Sequence, residues 1–320
     1  MMQNEAAGTA AQTKYDRLVA RAKTEKPALT VVAHPCDETS LRGVADAAAL
    51  GLITPILVGP KSRIEAVAEE FGLDISAYEM VDAPHSHGAA EKGVAIIREG
   101  RGEILMKGSL HTDELMSAVT ASATGLRTER RISHVFVMDV PGYEETLFIT
   151  DAAINIFPDL NAKRDIIQNA IDLWTGVGLG EPRVALLSAV ETVTTKIPST
   201  VEAAALCKMA ERGQITGGLL DGPLAFDNAI DPEAARIKGI QSRVAGRAQI
   251  LVVPDLEAGN MLAKNLTFML HADAAGIVLG ARVPIVLTSR ADPVRSRLAS
   301  CAVATLYASA LRRRPQVRAV

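Results

Sequence analysis

Aromatic side chains are scarce in this 320-residue chain: six Phe, four Tyr and one Trp make up 3% of it. Base-stacking platforms and aromatic-lined peptide grooves are hard to build from so few rings. No excess of one charge exists either, since 34 Lys and Arg face 37 Asp and Glu for a formal net charge of −3. That balance offers no electrostatic grip on a nucleic-acid backbone, so nucleic acid is excluded as an expected partner. Three cysteines, Cys36, Cys207 and Cys301, are scattered without paired spacing, which fits a reducing compartment better than disulfides or a zinc site. No apolar run approaches the ~18–20 residues that span a bilayer. The stretch Met1–Gln12 is polar and alanine-rich, without the apolar heart of a signal peptide, and reads as a disordered leader. A soluble, cytoplasmic, globular protein is expected, with no membrane partner.

The chain does hold a repeated grammar. Short apolar runs occur at Leu29–Ala33, Thr54–Gly59, Glu103–Lys107, His134–Asp139, Leu147–Thr150, Arg183–Ser188, Gly218–Asp221, Ile250–Pro254, Gly276–Leu279 and Pro284–Ser289. Helical stretches alternate with them, among others Tyr15–Lys26, Leu41–Leu50, Lys61–Phe71, Thr112–Thr120 and Met261–Leu270. That alternation predicts βαβ units and an α/β fold with a parallel sheet. In open parallel sheets ligands bind beyond the carboxyl ends of the strands, so the polar residues directly after each run are the candidates.

After Glu103–Lys107 comes Lys107-Gly108-Ser109-Leu110-His111-Thr112-Asp113. Gly108 allows a tight turn, Thr112 or Asp113 could cap the next helix, and Lys107 with His111 would suit a phosphate group at the helix start. An ordinary capped turn explains the same residues. Asp151 and Asn155, Asp221 and Asn228 also follow apolar runs; Asp in such places is most often a cap or turn former. In Pro254-Asp255-Leu256-Glu257-Ala258-Gly259-Asn260 two carboxylates share a loop, but Leu256 intervenes and no third carboxylate is near, so a structural loop with Asn260 as helix cap is expected. Near the end, an apolar strand leads into Thr288-Ser289-Arg290-Ala291-Asp292-Pro293, with Asp292 a good N-cap and Pro293 the preferred first helical residue. Ser289 and Arg290 then sit where strand becomes helix, and the Arg fork matches phosphate bidentately. Arg290 as a surface ion-pair partner fits the residues equally.

Other signals carry less. Thr175-Gly-Val-Gly-Leu-Gly180 precedes a strand, which makes it a helix C-terminal turn and not a dinucleotide fingerprint. His85 and His87 read as an exposed loop and not a metal site, and Arg312–Arg314 as a solvated helix end.

Taken together, LMKGSLHTDEL (105–115), SHVFVMDVPGY (133–143), ITDAAINIFPDL (149–160), DGPLAFDNAI (221–230), PDLEAGNMLAK (254–264) and LTSRAD (287–292) resemble the phosphate acetyltransferase/phosphate butyryltransferase family. They occur in family order over about 29–311, and several look closer to the butyryl-type branch. The resemblance implies acyl transfer between CoA and inorganic phosphate, no permanently bound cofactor or metal, CoA and acetyl-CoA as substrates, and a homodimer. It implies two α/β domains with parallel or mixed sheets, of the isocitrate/isopropylmalate dehydrogenase type, 1–140 plus 281–320 and an inserted 141–280, with the active site in the interdomain cleft. It assigns Arg290 to phosphate and Ser289 to the CoA sulfur, with Asp292 the nearest carboxylate. Lys107, Gly108, His111, Thr112, Asn155, Asp221, Asn228, Glu257 and Asn260 would bind phosphate or CoA.

Two departures stand out. Where the acetyl branch has a carboxylate seven positions after the serine, proposed as base for the thiol, this chain has Ser296. Where the family often carries an arginine in the helix after the KG segment, Ser117 lies, so Lys107, Arg127 or Arg130 would substitute. An NAD- and metal-dependent dehydrogenase of related fold and a non-catalytic binder of CoA or phosphate are the alternatives.

Overall fold

A computed structural model describes residues 13–287 and 293–313. The expected leader, 1–12, and the segment 288–292 lie outside the described residues. The first half runs α1 (Lys14–Ala22), β1 (Ala28–Ala33), α2 (Glu38–Ala49), β2 (Ile53–Gly59), α3 (Lys61–Glu70), β3 (Glu79–Asp82), α4 (Ser86–Arg98), β4 (Ile104–Lys107) and α5 (Thr112–Thr120). Next come β5 (Ser133–Asp139), β6 (Leu147–Thr150), α6 (Leu160–Gly176), β7 (Arg183–Leu187), α7 (Pro198–Glu211) and β8 (Leu219–Leu224). The short helices α8 (Phe226–Ile230) and α9 (Pro232–Ile237) precede β9 (Ile250–Val252), α10 (Leu256–Met269), β10 (Asp273–Leu279), β11 (Ile285–Val286) and α11 (Val294–Arg313).

Among the described residues the eleven strands join one sheet in the order β3-β2-β1-β4-β11-β10-β5-β6-β9-β7-β8. The α/β class is as expected, and the sheet is mixed, one of the two forms the resemblance implied, where the alternation of runs alone pointed to a parallel one. β5 pairs antiparallel with β6 and with β10, and β10 pairs antiparallel with β11. For β5–β6 and β10–β11 the cause is the connection: where no helix separates two runs, the chain returns through a hairpin, and a hairpin is antiparallel, whereas β5 and β10 meet across the centre of the sheet from distant parts of the chain. Because β10 opposes both β11 and β5, and β5 opposes β6, the parallel set β6, β9, β7, β8 runs opposite to the parallel set β3, β2, β1, β4, β11. The two sets therefore present their carboxyl ends at opposite edges of the sheet.

Local chemistry starts the helices that flank these edges. The carboxylates of Asp37, Asp159 and Asp255 accept N–H groups from Ser40 at 2.8 Å, Ala162 at 2.8 Å and Ala258 at 2.9 Å, capping α2, α6 and α10. The helix α11 is different. From Ser296 to Ser309 nearly every residue is buried, so this small-residue helix passes through the interior behind the sheet. On that side Phe148 and Trp174 meet edge-on, ring centroids 4.9 Å apart. No helix among the described residues is long and apolar enough to cross a membrane.

Candidate active site

At the first edge, β1 and β4 end side by side. Gly108 N–H donates to the Ala33 carbonyl at 2.9 Å, and Ser109 N–H to the His34 carbonyl at 2.8 Å. A Cβ on Gly108 would lie 2.5 Å from Ala33 O and 2.6 Å from His34 O, so glycine is required by close approach of backbones. The Ser109 hydroxyl donates to His34 O at 2.9 Å and accepts from Cys36 N–H at 3.0 Å, tying the two loops. Burial pushes the Cys36 thiol up to about 11 and lowers His34 below its ordinary value. Lys107, the last residue of β4, is buried. The cap of α5 is His111, not Thr112 or Asp113: its N–H donates to the Glu114 carboxylate at 3.1 Å, and His111 and Thr112 are exposed.

β11 lies directly beside β4, Ile285 opposite Leu105 and Val286 opposite Met106, so the chain leaves Leu287 next to the Lys107–Gly108 turn. The candidates Ser289, Arg290 and Asp292 lie outside the described residues. Beyond them the start of α11 is tied down. The Arg295 guanidinium pairs with Asp273 at 2.8 Å and donates to Thr13 Oγ1 at 2.5 Å, and buried Arg297 donates to the Thr39 carbonyl at 2.8 Å. Ser296, where a carboxylate was looked for, is buried in α11 with its carbonyl accepting the Ser300 hydroxyl.

The second edge gathers different residues. Asp151, buried after β6, accepts N–H groups from Ala153 at 2.9 Å, Ile154 at 3.0 Å and Asn155 at 3.3 Å. Asn155 is also buried: its Nδ2 donates to Asp151 at 2.6 Å and to Ile132 O at 2.9 Å, and its Oδ1 accepts from Arg131 Nε at 2.7 Å. The loop after β9 docks here. Asn260 does not cap α10, which begins four residues earlier behind Asp255; from inside the helix its Nδ2 donates to Ala152 O at 3.3 Å. Glu257 is exposed in the first turn of α10. Farther along, Asp221 accepts from Gly222 N–H at 2.8 Å on β8, and buried Asn228 donates to Glu191, which pairs with Lys238 at 2.5 Å. The candidates thus form two groups: Lys107, Gly108, His111 and Thr112 at one edge, Asn155 and Asn260 in contact through one loop at the other, with Asp221 and Asn228 apart from both.

Between the groups lies the β5–β10 pair. His134 on β5 is 3% exposed, its Nδ1 has no hydrogen-bond partner among the described residues, and burial drives it down to about 4 against a smaller opposing pull from Asp151. Gly276 of β10 makes room for it, since a Cβ there would stand 2.9 Å from His134 Nε2 and 3.4 Å from the Leu287 carbonyl. A cleft of about 670 Å3 opens nearby, between α5, the 127–132 segment and the loop after Asp151. Ser117 is exposed and lines a separate hollow between α4 and α5. His85 and His87 do not form a loop: His85 caps α4, accepting Gly88 N–H at 3.1 Å, and His87 in its first turn lies 3.4 Å from Glu114. The glycine-rich 175–180 stretch is, as expected, the turn after α6. Among the described residues no group of three or more His, Cys, Asp or Glu could hold a metal ion.

Residues 87–305 match the family model described as phosphate acetyl/butaryl transferase. A phosphate acetyltransferase from Rhizobium meliloti is 79% identical over 308 residues, covering 96% of this chain and 97% of the relative. The chain belongs to this family. It is an acyltransferase. A phosphate butyryltransferase from Clostridium acetobutylicum is 38% identical over 294 residues, 92% of this chain and 98% of that one. In structure, a branched-chain phosphotransacylase from Enterococcus faecalis V583 superposes with a TM-score of 0.77 at 30% identity, covering 88% of this chain and 99% of that one. A 4-hydroxythreonine-4-phosphate dehydrogenase from Klebsiella pneumoniae, at TM-score 0.52 and 13% identity over 88% of this chain and 99% of that one, shares the dehydrogenase-like fold.

In this phosphate acyltransferase Asp151 is the turn former its place after an apolar run suggested, whereas the Arg131–Asn155 contact and the buried His134 are not marked in the sequence. Nothing local marks these two, because Asn155 lies 24 positions from Arg131 and Asp151 17 from His134.

Proposed function

We propose that the chain exchanges an acyl group, acetyl as the primary case, between CoA and inorganic phosphate in one ternary complex. A phosphate oxygen attacks the thioester carbonyl, a C–O bond forms, the C–S bond breaks, and CoA leaves as thiolate carrying the electron pair; the reverse reaction uses that thiolate as nucleophile. Negative charge concentrates in either direction, so fixed cations and donors lower the barrier. Arg290 holds phosphate and Ser289 donates to the sulfur, with Asp292 the nearest carboxylate in the sequence. The pairing of β11 with β4 supports Lys107 as a second cation and the Gly108–His111–Thr112 turn as part of the anion site. No covalent enzyme intermediate is required, because holding both substrates in near-attack geometry supplies the rate. Asn155 and Asn260 act by shaping the loop after β6.

The observation that carries the reading is the 79% identity to a phosphate acetyltransferase across nearly the whole chain. Purified protein given acetyl-CoA should release thiol only when phosphate is present, and Arg290→Ala should cut this by about 100-fold or more. No phosphate-dependent thiol release with acetyl-, propionyl- or butyryl-CoA would sink it. Binding of CoA without turnover would leave only a binder, and reduction of NAD with a 2-hydroxy acid would indicate a dehydrogenase.

A butyryl preference is the second reading, favoured by the 38% identity to a phosphate butyryltransferase. One methylene is worth only ~1–3 kcal/mol of discrimination, so a chain-length series in the same assay decides between them. We further assign the chain to the cytoplasm, and to a homodimer through the exposed face of α10, where Met261, Phe268 and Met269 are 60%, 75% and 72% exposed. Sedimentation of Phe268→Asp against the unaltered protein tests the dimer. The units 1–140 plus 281–320 and 141–280 are proposed to flank the cleft.

A further inference from the structure

We propose that Glu114 is a positioning residue for phosphate, its carboxylate fastening the end of the Lys107–His111 turn to the amino-terminus of α4. The inference rests on the acyl-transfer reading above, which puts the anion at this turn, and extends it to a side chain that does not itself touch substrate.

The two halves of the turn are held differently. The first is fixed to β1: Gly108 and Ser109 donate their N–H groups to the carbonyls of Ala33 and His34, and the Ser109 hydroxyl donates to His34 O at 2.9 Å. His34 meets these donors from a left-handed backbone, φ 56°, which residues with a side chain rarely adopt. Past Ser109 the chain leaves β1. Leu110 sinks into the apolar cluster that holds Ala90 of α4 and Leu115 of α5, but His111 is exposed and relies on polar contacts.

Glu114 supplies them. One carboxylate oxygen accepts the His111 N–H at 3.1 Å. The other accepts the Ser86 hydroxyl at 3.1 Å and lies 3.4 Å from His87 Nδ1. Ser86 and His87 open α4, so one side chain bridges the first turns of α4 and α5, where both helix dipoles favour a negative charge. Burial works to raise the Glu114 carboxyl, but the His111 N–H, the Ser86 hydroxyl and His87 outweigh it and hold the group below its ordinary value. The bridge is therefore charged at neutral pH.

Charge and position pull in opposite directions here. A carboxylate in the first turn of α5 repels an anion bound at the same helix start. As a fastening it favours that anion, because donors already aimed at phosphate bind it without a cost of ordering. Neutralising Glu114 distinguishes the two roles by sign.

Calorimetric titration with inorganic phosphate and steady-state kinetics of Glu114→Ala, Glu114→Gln and Ser86→Ala test the assignment. Glu114→Ala should weaken phosphate binding and raise KM for phosphate about fivefold, with KM for acetyl-CoA kept within about twofold. Glu114→Gln retains an acceptor for the His111 N–H and should recover part of the loss. Ser86→Ala keeps the charge and should shift phosphate binding the same way by less; it decides the matter if Glu114→Ala does not fold. Tighter phosphate binding in the Glu114 variants overturns the proposal, as does unaltered binding in Glu114→Ala and Ser86→Ala, or no phosphate binding by the unaltered protein. Phosphate binding that responds as expected, without any phosphate-dependent thiol release, would remove the transferase reading and leave the fastening in place.

Discussion

Gly259 of α10 packs directly on Ala152, where an added Cβ would stand 2.9 Å from the alanine Cβ. One residue on, Asn260 donates to the carbonyl of the same alanine. Two segments about a hundred residues apart, both among those carrying the family resemblance, are thereby locked together at one edge of the sheet.

Gly259→Val should be destabilising, because its side chain would also meet Val253 Cγ2, which lies 2.7 Å from the Cβ position. An expected loss of about 1–3 kcal/mol follows from overpacking. The midpoint of urea unfolding measures it; an unchanged midpoint contradicts the contact.

Asp151→Asn removes a buried carboxylate that accepts four donors. Loss of about 2 kcal/mol of stability is predicted, since hydrogen bonds to a charged acceptor are the strong ones. The same variant should raise KM for acetyl-CoA by releasing the loop that carries Ile154 and Phe157. Kinetics and denaturation on one preparation check both, and a variant that melts earlier but keeps its KM separates stability from loop shape.

Acid should weaken the fold through His134. Its folded value of about 4 lies below the ordinary 6.5, so between those pH values the unfolded chain binds a proton that the native state refuses. Stability from this residue is complete above pH 6.5 and falls as pH drops toward 4, with about 2 kcal/mol lost by pH 5. Comparing urea midpoints at pH 7.5 and 5 for the unaltered protein and His134→Gln reads the effect. Equal acid losses in the two would count against it.

Arg295→Met separates positioning from stability. The pair with Asp273 is half-exposed, so no more than about 1 kcal/mol of stability should go. Turnover should fall severalfold with KM values kept, because Arg295 ties the start of α11, just after Ser289 and Arg290, to α1 and β10. Arg295→Lys should recover part of kcat. If kcat of Arg295→Met equals that of the unaltered protein, the tie has no catalytic consequence.

Much of the fold was legible along the chain. The runs Leu29–Ala33, Thr54–Gly59 and Arg183–Ser188 are β1, β2 and β7 within a residue at each end, because buried parallel strands are nearly continuous apolar runs. β3 was not legible: Glu79–Asp82 is a polar-ended strand at the sheet edge, where one side faces water. The site was legible as motifs and not as roles. Gly259 and Asn260 read as loop and helix cap, yet both sit inside α10, the glycine packed on Ala152, a contact no local pattern reveals.

Composition, hydrophobic period and the ordered segments were enough to determine an α/β chain of the phosphate acyltransferase family, since each is a property of neighbours along the backbone. Strand direction, the division of the candidates between two edges, and the burial of His134 came only from the tertiary structure. Those depend on which distant strands pair across the centre of the sheet, and β5 meets β10 some 140 positions away.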